Sequence, residues 1–153
     1  MPKRRLFVGK ILVAAAITLV FAALGVSAVQ NGNKFKARLA PAPPLAPLQR
    51  TAVAGIGSAT ATLSGKKVSV EGTFENLASS ATEANLCLGL AAGARGECLF
   101  KLMISPGASG TLNGTAELST EQVEALRKGR FYIQIQSQGA PTGHLLGWLL
   151  AEK

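Results

Sequence analysis

Two cysteines and one histidine are the side chains in this sequence with the most obvious capacity for chemistry. Cys87 and Cys98 stand 11 positions apart, on what read as successive strands. A thiolate can attack, bind a metal or close a disulfide. A tetrahedral zinc site needs four ligands, and two thiolates with the distant His144 fall short of that, so no metal site is expected. In an exported chain two cysteines so spaced suggest a disulfide, with two buried free thiols as the alternative. Antiparallel pairing around the loop 91–96 would bring them within bonding reach. Closing so short a loop stabilises the fold by roughly 2–3 kcal/mol in the chain-entropy account. One conflict stands: Cys87 alternates against the leucines of its strand, whereas Cys98 shares a face with Phe100, Leu102 and Ile104.

His144 could act as a general base only with a nucleophile and an orienting group beside it. The chain has no Asp at all. It also has no Gly-x-Ser-x-Gly elbow and no phosphate-binding loop. His144 is therefore expected at the surface or at a hairpin tip. No catalytic residue, no cofactor and no enzyme activity are expected. Tyr132, Gln134, Gln136 and Gln138 share one face of a strand. Exposed together, they could dock a protein partner; an ordinary solvated face is the alternative. Asn113-Gly114-Thr115 has the form of a glycosylation sequon, although Asn-Gly more simply suggests a turn. Trp148 is expected in the core.

These residues sit in a chain of 153 with a net charge of +8. Length suggests one domain plus a targeting segment. Lys3, Arg4, Arg5 and Lys10 precede an apolar run, 11–26, which ends at Val26-Ser27-Ala28. That is the layout of a secretory signal peptide cut after Ala28. The rival reading is an uncleaved signal anchor, a membrane helix over about 6–29. Cleavage is the favoured of the two, and both place residues 30–153 outside the cytoplasm, in the periplasm or held on the periplasmic side of the inner membrane. Beyond residue 28 the basic and acidic side chains number 12 and 8, a balance of +4 that argues against a nucleic-acid partner.

Lys34 to Ala40 alternates apolar and basic residues, as a half-buried strand does. Pro41, Pro43, Pro44 and Pro47 forbid regular pairing and favour an extended crossover. Short alternating segments follow over 55–63, 68–77, 83–90, 97–105 and 111–118, with turn residues between them. Leu86, Leu88 and Leu90 fall on one face of the third. Ser119 and Gln122 form a capping box for a helix that places Val123 and Leu126 inward, and Gly129 is its stop. Phe131, Ile133 and Ile135 then alternate with Tyr132, Gln134 and Gln136. A turn at 139–143 leads to a closing strand 145–150, in which Gly147 permits a bulge or a close backbone contact. Seven or eight strands about ten residues apart predict an all-β fold, a single antiparallel β-sandwich of Greek-key, immunoglobulin-like type. One short helix precedes its last hairpin, and an N-terminal apolar helix is added.

The last quarter of the chain resembles the end of a CHRD domain, the module named after chordin. The family ends on a Leu-Thr-x-x-Gln helix, a Leu-x-x-Gly stop, a Tyr-containing strand and a Pro-x-Gly-x-x-x-Gly hairpin. The matching residues are Leu118, Ser119 and Gln122; Leu126 and Gly129; Tyr132; and Pro141, Gly143 and Gly147. Phe35 to Leu39 is similar to the family's opening strand, and Gly55 to Leu63 to its Gly-x-Ala strand. The likeness covers most of 34–151. It implies an extracytoplasmic β-sandwich without established catalysis, serving in binding. The family's His-x-His and following Gly read Leu86, Cys87, Leu88 and Gly89 here, so neither histidine is kept. Its Gly-Glu-x-x-Gly reads Gly143 to Gly147, with His144 in the Glu position.

Residues and resemblance together predict an exported, non-catalytic binding or assembly module acting through contacts with a protein partner. The first alternative is an accessory subunit of an inner-membrane complex, held by residues 6–29. A metal-binding redox protein is the weaker alternative.

Overall fold

The computed structural model describes residues 33–43 and 54–153. The cleavage site, the 6–29 anchor, and Pro44 and Pro47 of the crossover lie outside the described residues. Nine strands and one helix follow in order: β1 (Lys34–Pro41), β2 (Ile56–Ser64), β3 (Lys67–Glu75), β4 (Ala81–Leu88), β5 (Glu97–Ile104), β6 (Gly110–Glu117), α1 (Thr120–Arg127), β7 (Phe131–Ser137), β8 (Ala140–Trp148) and β9 (Leu150–Ala151).

Alternation built these strands. Phe35, Ala37 and Leu39 of β1 point inward while Lys34, Lys36 and Arg38 face water. On β2 Ala59, Ala61 and Leu63 are buried, and on β3 Val68, Val70 and Phe74. Leu90 departs from expectation. β4 ends at Leu88, and Leu90 stands 79% exposed in the following loop. Asn113 and Gly114 also depart, because they continue β6 rather than turn the chain. Pairing with Glu71 and Val70 of β3 holds them extended, overriding the local turn preference.

All pairings are antiparallel. The spatial order is β2-β3-β6-β5-β4-β7-β8-β1-β9, and β1 also pairs with β2. The expected open sandwich is therefore a closed eight-stranded barrel, with β9 continuing β8 along β1. The Greek-key part of the expectation holds, because the β4-β5-β6 meander lies inverted between β3 and β7. Closure is narrow at two seams. β5 meets β6 at Met103 and Ile104, and β1 meets β8 at Ala40 and Pro41. β1 and β5 thus belong to both walls, which sequence alternation cannot reveal. A closed sheet leaves no unpaired edge to recruit another chain.

Large and small side chains interdigitate inside. Phe131, Ile133, Ile135 and Leu145 from one wall are fully buried, opposite a wall rich in Ala59, Ala61, Gly57 and Gly72. Full burial of each such large side chain contributes about 1.5–3 kcal/mol. α1 covers one end of the barrel with Ala125 and Leu126. The Ser119 hydroxyl accepts from the Gln122 amide, and the Gln122 side chain accepts from the Ser119 amide, so the capping box is present. Gly129, at φ +69°, stops the helix. Glu121 in the first turn has its pKa lowered, first by a backbone hydrogen bond and then by the Ser119 hydroxyl. A depressed carboxylate supports the fold above its unfolded pKa and loses that support as pH falls through the folded one.

Gly147 is the tightest point of the β1 seam. A Cβ there would lie 2.6 Å from the Arg38 carbonyl oxygen and 2.7 Å from Leu39 Cδ2. Gly147→Ala should therefore destabilise the domain by about 1–3 kcal/mol, the usual range for overpacking, as read from the urea midpoint. An unchanged midpoint would mean that the seam has slack.

Candidate functional site

The loop 89–96 joins β4 to β5 and carries the exposed Leu90. Its base is closed by the Cys87–Cys98 disulfide, with Cα atoms 3.8 Å apart. The conflict over their faces is resolved by a β-bulge. Leu86 pairs with Phe100, but Cys87 pairs with Cys98, so Leu99 is an extra residue on β5. Such a bulge turns the alternation by one step. Cys98 leaves the face of Phe100 and Leu102 and joins Cys87 on the outside of the barrel.

Four further tethers hold this loop. The Gly89 amide donates to the Arg130 carbonyl at 2.7 Å, and the Arg130 guanidinium donates back to the Gly89 carbonyl at 2.9 and 3.3 Å. The Tyr132 hydroxyl donates to the Gly96 carbonyl at 3.2 Å and accepts from the Gly96 amide at 3.3 Å. Arg95 reaches the Pro43 carbonyl at 3.1 Å. Within the loop the Ala94 amide donates to Ala91 at 3.1 Å. Gly89 has no room for a side chain, since a Cβ would sit 2.5 Å from the Ala94 carbonyl oxygen and 2.8 Å from the Trp148 ring.

This loop covers part of the face on which Tyr132, Gln134, Gln136 and Gln138 were expected to stand open. Tyr132 is 1% exposed and packs on Trp148, with ring centroids 4.7 Å apart and planes tilted by 47°. Gln134 is also buried and donates to the Thr142 carbonyl at 2.9 Å. Gln136 is half-buried and Gln138 lies exposed in the β7–β8 turn. The structure thus brings Cys87, Cys98, Tyr132 and Trp148 into one outer row, and leaves Gln138 outside it. Trp148 is half-buried on this row rather than in the core.

His144 is not at the surface. It is 1% exposed, near the end of the barrel opposite α1. Nε2 faces the Ala54 carbonyl, and Nδ1 lies 2.6 Å from Ser137 Oγ. A carbonyl can only accept, so the proton sits on Nε2 and Ser137 donates to Nδ1. Ser79 then donates to Ser137 Oγ at 2.8 Å, and the Gly139 amide donates to Ser79 Oγ at 2.9 Å. Every member is satisfied in one direction. The relay ties Ala54, the β3–β4 connection, the end of β7 and the β7–β8 turn together. It contains a serine hydrogen-bonded to a histidine, but Ser137 is itself 1% exposed and no substrate could reach it. Its partners gave no sign in sequence, since Ser79 and Ser137 lie 65 and 7 positions from His144.

Among the described residues no three His, Cys, Asp or Glu side chains converge as a metal site would require. The most built feature is thus the tethered loop with its disulfide. Arg130 and Leu90 were not singled out by sequence; a lone Arg after a helix stop and a Leu that fitted a strand face gave no signal. For the relay, His144→Ala leaves buried hydroxyl and carbonyl groups unpaired and should destabilise the domain by about 2–4 kcal/mol. Urea unfolding measures this, and nitrogen NMR of the ring should show the Nε2–H tautomer.

A family model described as CHRD domain matches residues 35–149, three-quarters of the chain. No curated protein and no solved structure matches it. The matched span runs from the first inward residue of β1 to Leu149, and so takes in all eight barrel strands, the capped helix and the tethered loop; the chain belongs to the CHRD domain family.

Proposed function

We propose that the chain is an exported, non-catalytic binding and assembly module, and that its loop 89–96 contacts a protein partner. Leu90 carries this reading. It is a large apolar side chain, 79% exposed, on a loop fixed by a disulfide and by hydrogen bonds from Arg130 and Tyr132 at the start of β7. Fixing a contact residue before binding removes an ordering cost of about 0.5–1.5 kcal/mol per side chain. Family membership supports a binding role over catalysis. The buried serine–histidine pair and the engagement of both cysteines in one bridge leave little from which to build a redox or hydrolytic centre.

A second reading makes the chain an accessory subunit of an inner-membrane complex, anchored through residues 6–29. The basic residues before an apolar run long enough to cross a bilayer favour it. N-terminal sequencing of the protein from its own membranes separates the two, and a mature start at Val29 removes the anchor.

A photoreactive residue at Leu90 should cross-link to a protein partner in intact cells, and one at Gln138 should not. Adducts from Gln138 alone would move the contact to the glutamine row. Cys87→Ser with Cys98→Ser should weaken capture about tenfold by releasing the loop. No adduct from Leu90 would end the proposal.

A further inference from the structure

The strand registers divide the loops between two ends of the barrel. Lys34 opposes Thr62, Lys67 opposes Glu117, Leu88 opposes both Glu97 and Phe131, and Tyr132 opposes Trp148. One end therefore gathers the start of β1, the β2–β3 turn, α1, the β4–β5 loop and the C-terminus. Contacts across it agree. Leu118 donates to the Lys66 carbonyl, Glu152 donates to the Lys34 carbonyl, and Leu150 lies against Gly129.

Charge follows the same division. The described residues contain seven lysines, and six of them, Lys34, Lys36, Lys66, Lys67, Lys128 and Lys153, lie at this end. Arg127 joins them, and all seven cations are exposed. The carboxylates at this end are Glu97, Glu117, Glu121, Glu124 and Glu152. Two of these five are already engaged, Glu152 with Lys36 and Glu124 with Lys128. Leu150 stands 58% exposed among these charges. The rest of the described surface has no cationic excess of this kind, since Arg38 and Lys101 stand against Glu71, Glu75 and Glu83, whereas Arg95 on the β4–β5 loop and the half-buried Arg130 beside it belong to the α1 end.

The chain enters the barrel at this end. Four residues separate Val29 from Lys34, and the five steps between them reach at most about 17 Å when fully extended. We infer that this lysine-rich end of the barrel rests on an anionic bilayer surface, with Leu150 at the contact. The inference rests on the anchored reading, in which residues 6–29 cross the membrane. A tether so short lets only this end approach the bilayer, and long lysine side chains extend past the shorter carboxylates to meet lipid phosphates.

The full chain is reconstituted in two sets of vesicles, phosphatidylcholine alone and phosphatidylcholine mixed with phosphatidylglycerol. Trp148 is the sole tryptophan, so Trp148→Phe with Leu150→Trp places a single reporter at the contact. Brominated lipid should quench that reporter in the phosphatidylglycerol vesicles, and added salt should relieve the quenching. Lys66→Gln and Lys67→Gln lie in an exposed turn and should each lower the docked population about fivefold. Quenching that is absent, or equal in neutral vesicles, overturns the inference. Alkaline carbonate tests the anchor separately. Protein released by carbonate defeats the anchored reading and the inference that rests on it, whereas retained protein with an unquenched reporter defeats the docking alone.

Discussion

The structure depends on how closely β1 can approach β8. The two strands keep one register from Ala40 opposite Leu146 to Lys36 opposite Leu150, with only the middle of the ladder interrupted. In that middle the backbones press together at Gly147, where any side chain would strike the Arg38 carbonyl. Without this approach the eight strands would form one open sheet with β1 and β8 as its edges. With it they form a barrel. Closure by so few hydrogen bonds succeeds because β1 also pairs with β2 over six residues, from Lys34 to Leu39. The strand is held on its long side and needs only to touch on the other.

The two ends of the barrel are fastened by different means. At one, a directional chain of hydroxyls and imidazole joins four segments, and its value lies in leaving no buried polar atom unpaired. No buried side-chain nitrogen or oxygen among the described residues lacks a partner. At the other, a covalent bridge, a guanidinium clamp and a tyrosine hydroxyl hold a loop whose tip is apolar. A polar relay of this kind satisfies itself and offers nothing outward. The tethered loop does the reverse, because its backbone groups at Gly89 and Gly96 are satisfied by Arg130 and Tyr132 from β7 and its neighbourhood, while the side chain of Leu90 is left to water. That contrast supports the proposed contact at the α1 end.

Much of the fold could be read from residue order. The 2-residue alternation located the barrel strands to within a few positions, except β8, which was expected from Leu145 after a turn over 139–143 and in fact begins at Ala140. Ser119, Gln122 and Gly129 marked the helix because capping chemistry is local. What escaped was non-local. A sandwich and a flattened barrel share the same inward and outward residues, and differ only in whether edge strands meet. The β5 bulge depends on Leu99 finding no partner on β4, which no single-strand pattern reveals. The disulfide was legible from spacing, while its geometry was not. His144 was misplaced because a histidine next to a Gly in a hairpin looks like a turn residue. Its burial is set by Ser137, Ser79 and Ala54, which only the folded chain brings together. The glutamine row failed differently: its face was assigned correctly for Tyr132 and Gln134, but a loop from elsewhere partly covers it.

Position 144 shows how a change of residue type changes what a buried site can do. The likeness to the CHRD family places a glutamate in its motif where this chain has His144. A carboxylate only accepts when ionised, whereas a neutral imidazole donates at one nitrogen and accepts at the other. Here both roles are used, toward Ala54 and from Ser137. A glutamate in this relay could accept from Ser137 but could not donate to the Ala54 carbonyl unless it carried a proton. The segment at Ala54 leads into β2, the strand that holds β1 for closure. His144 therefore belongs to the same constraint as Gly147, three residues away on β8: one lets the strands meet, and the other secures the start of the strand on the far side of the seam.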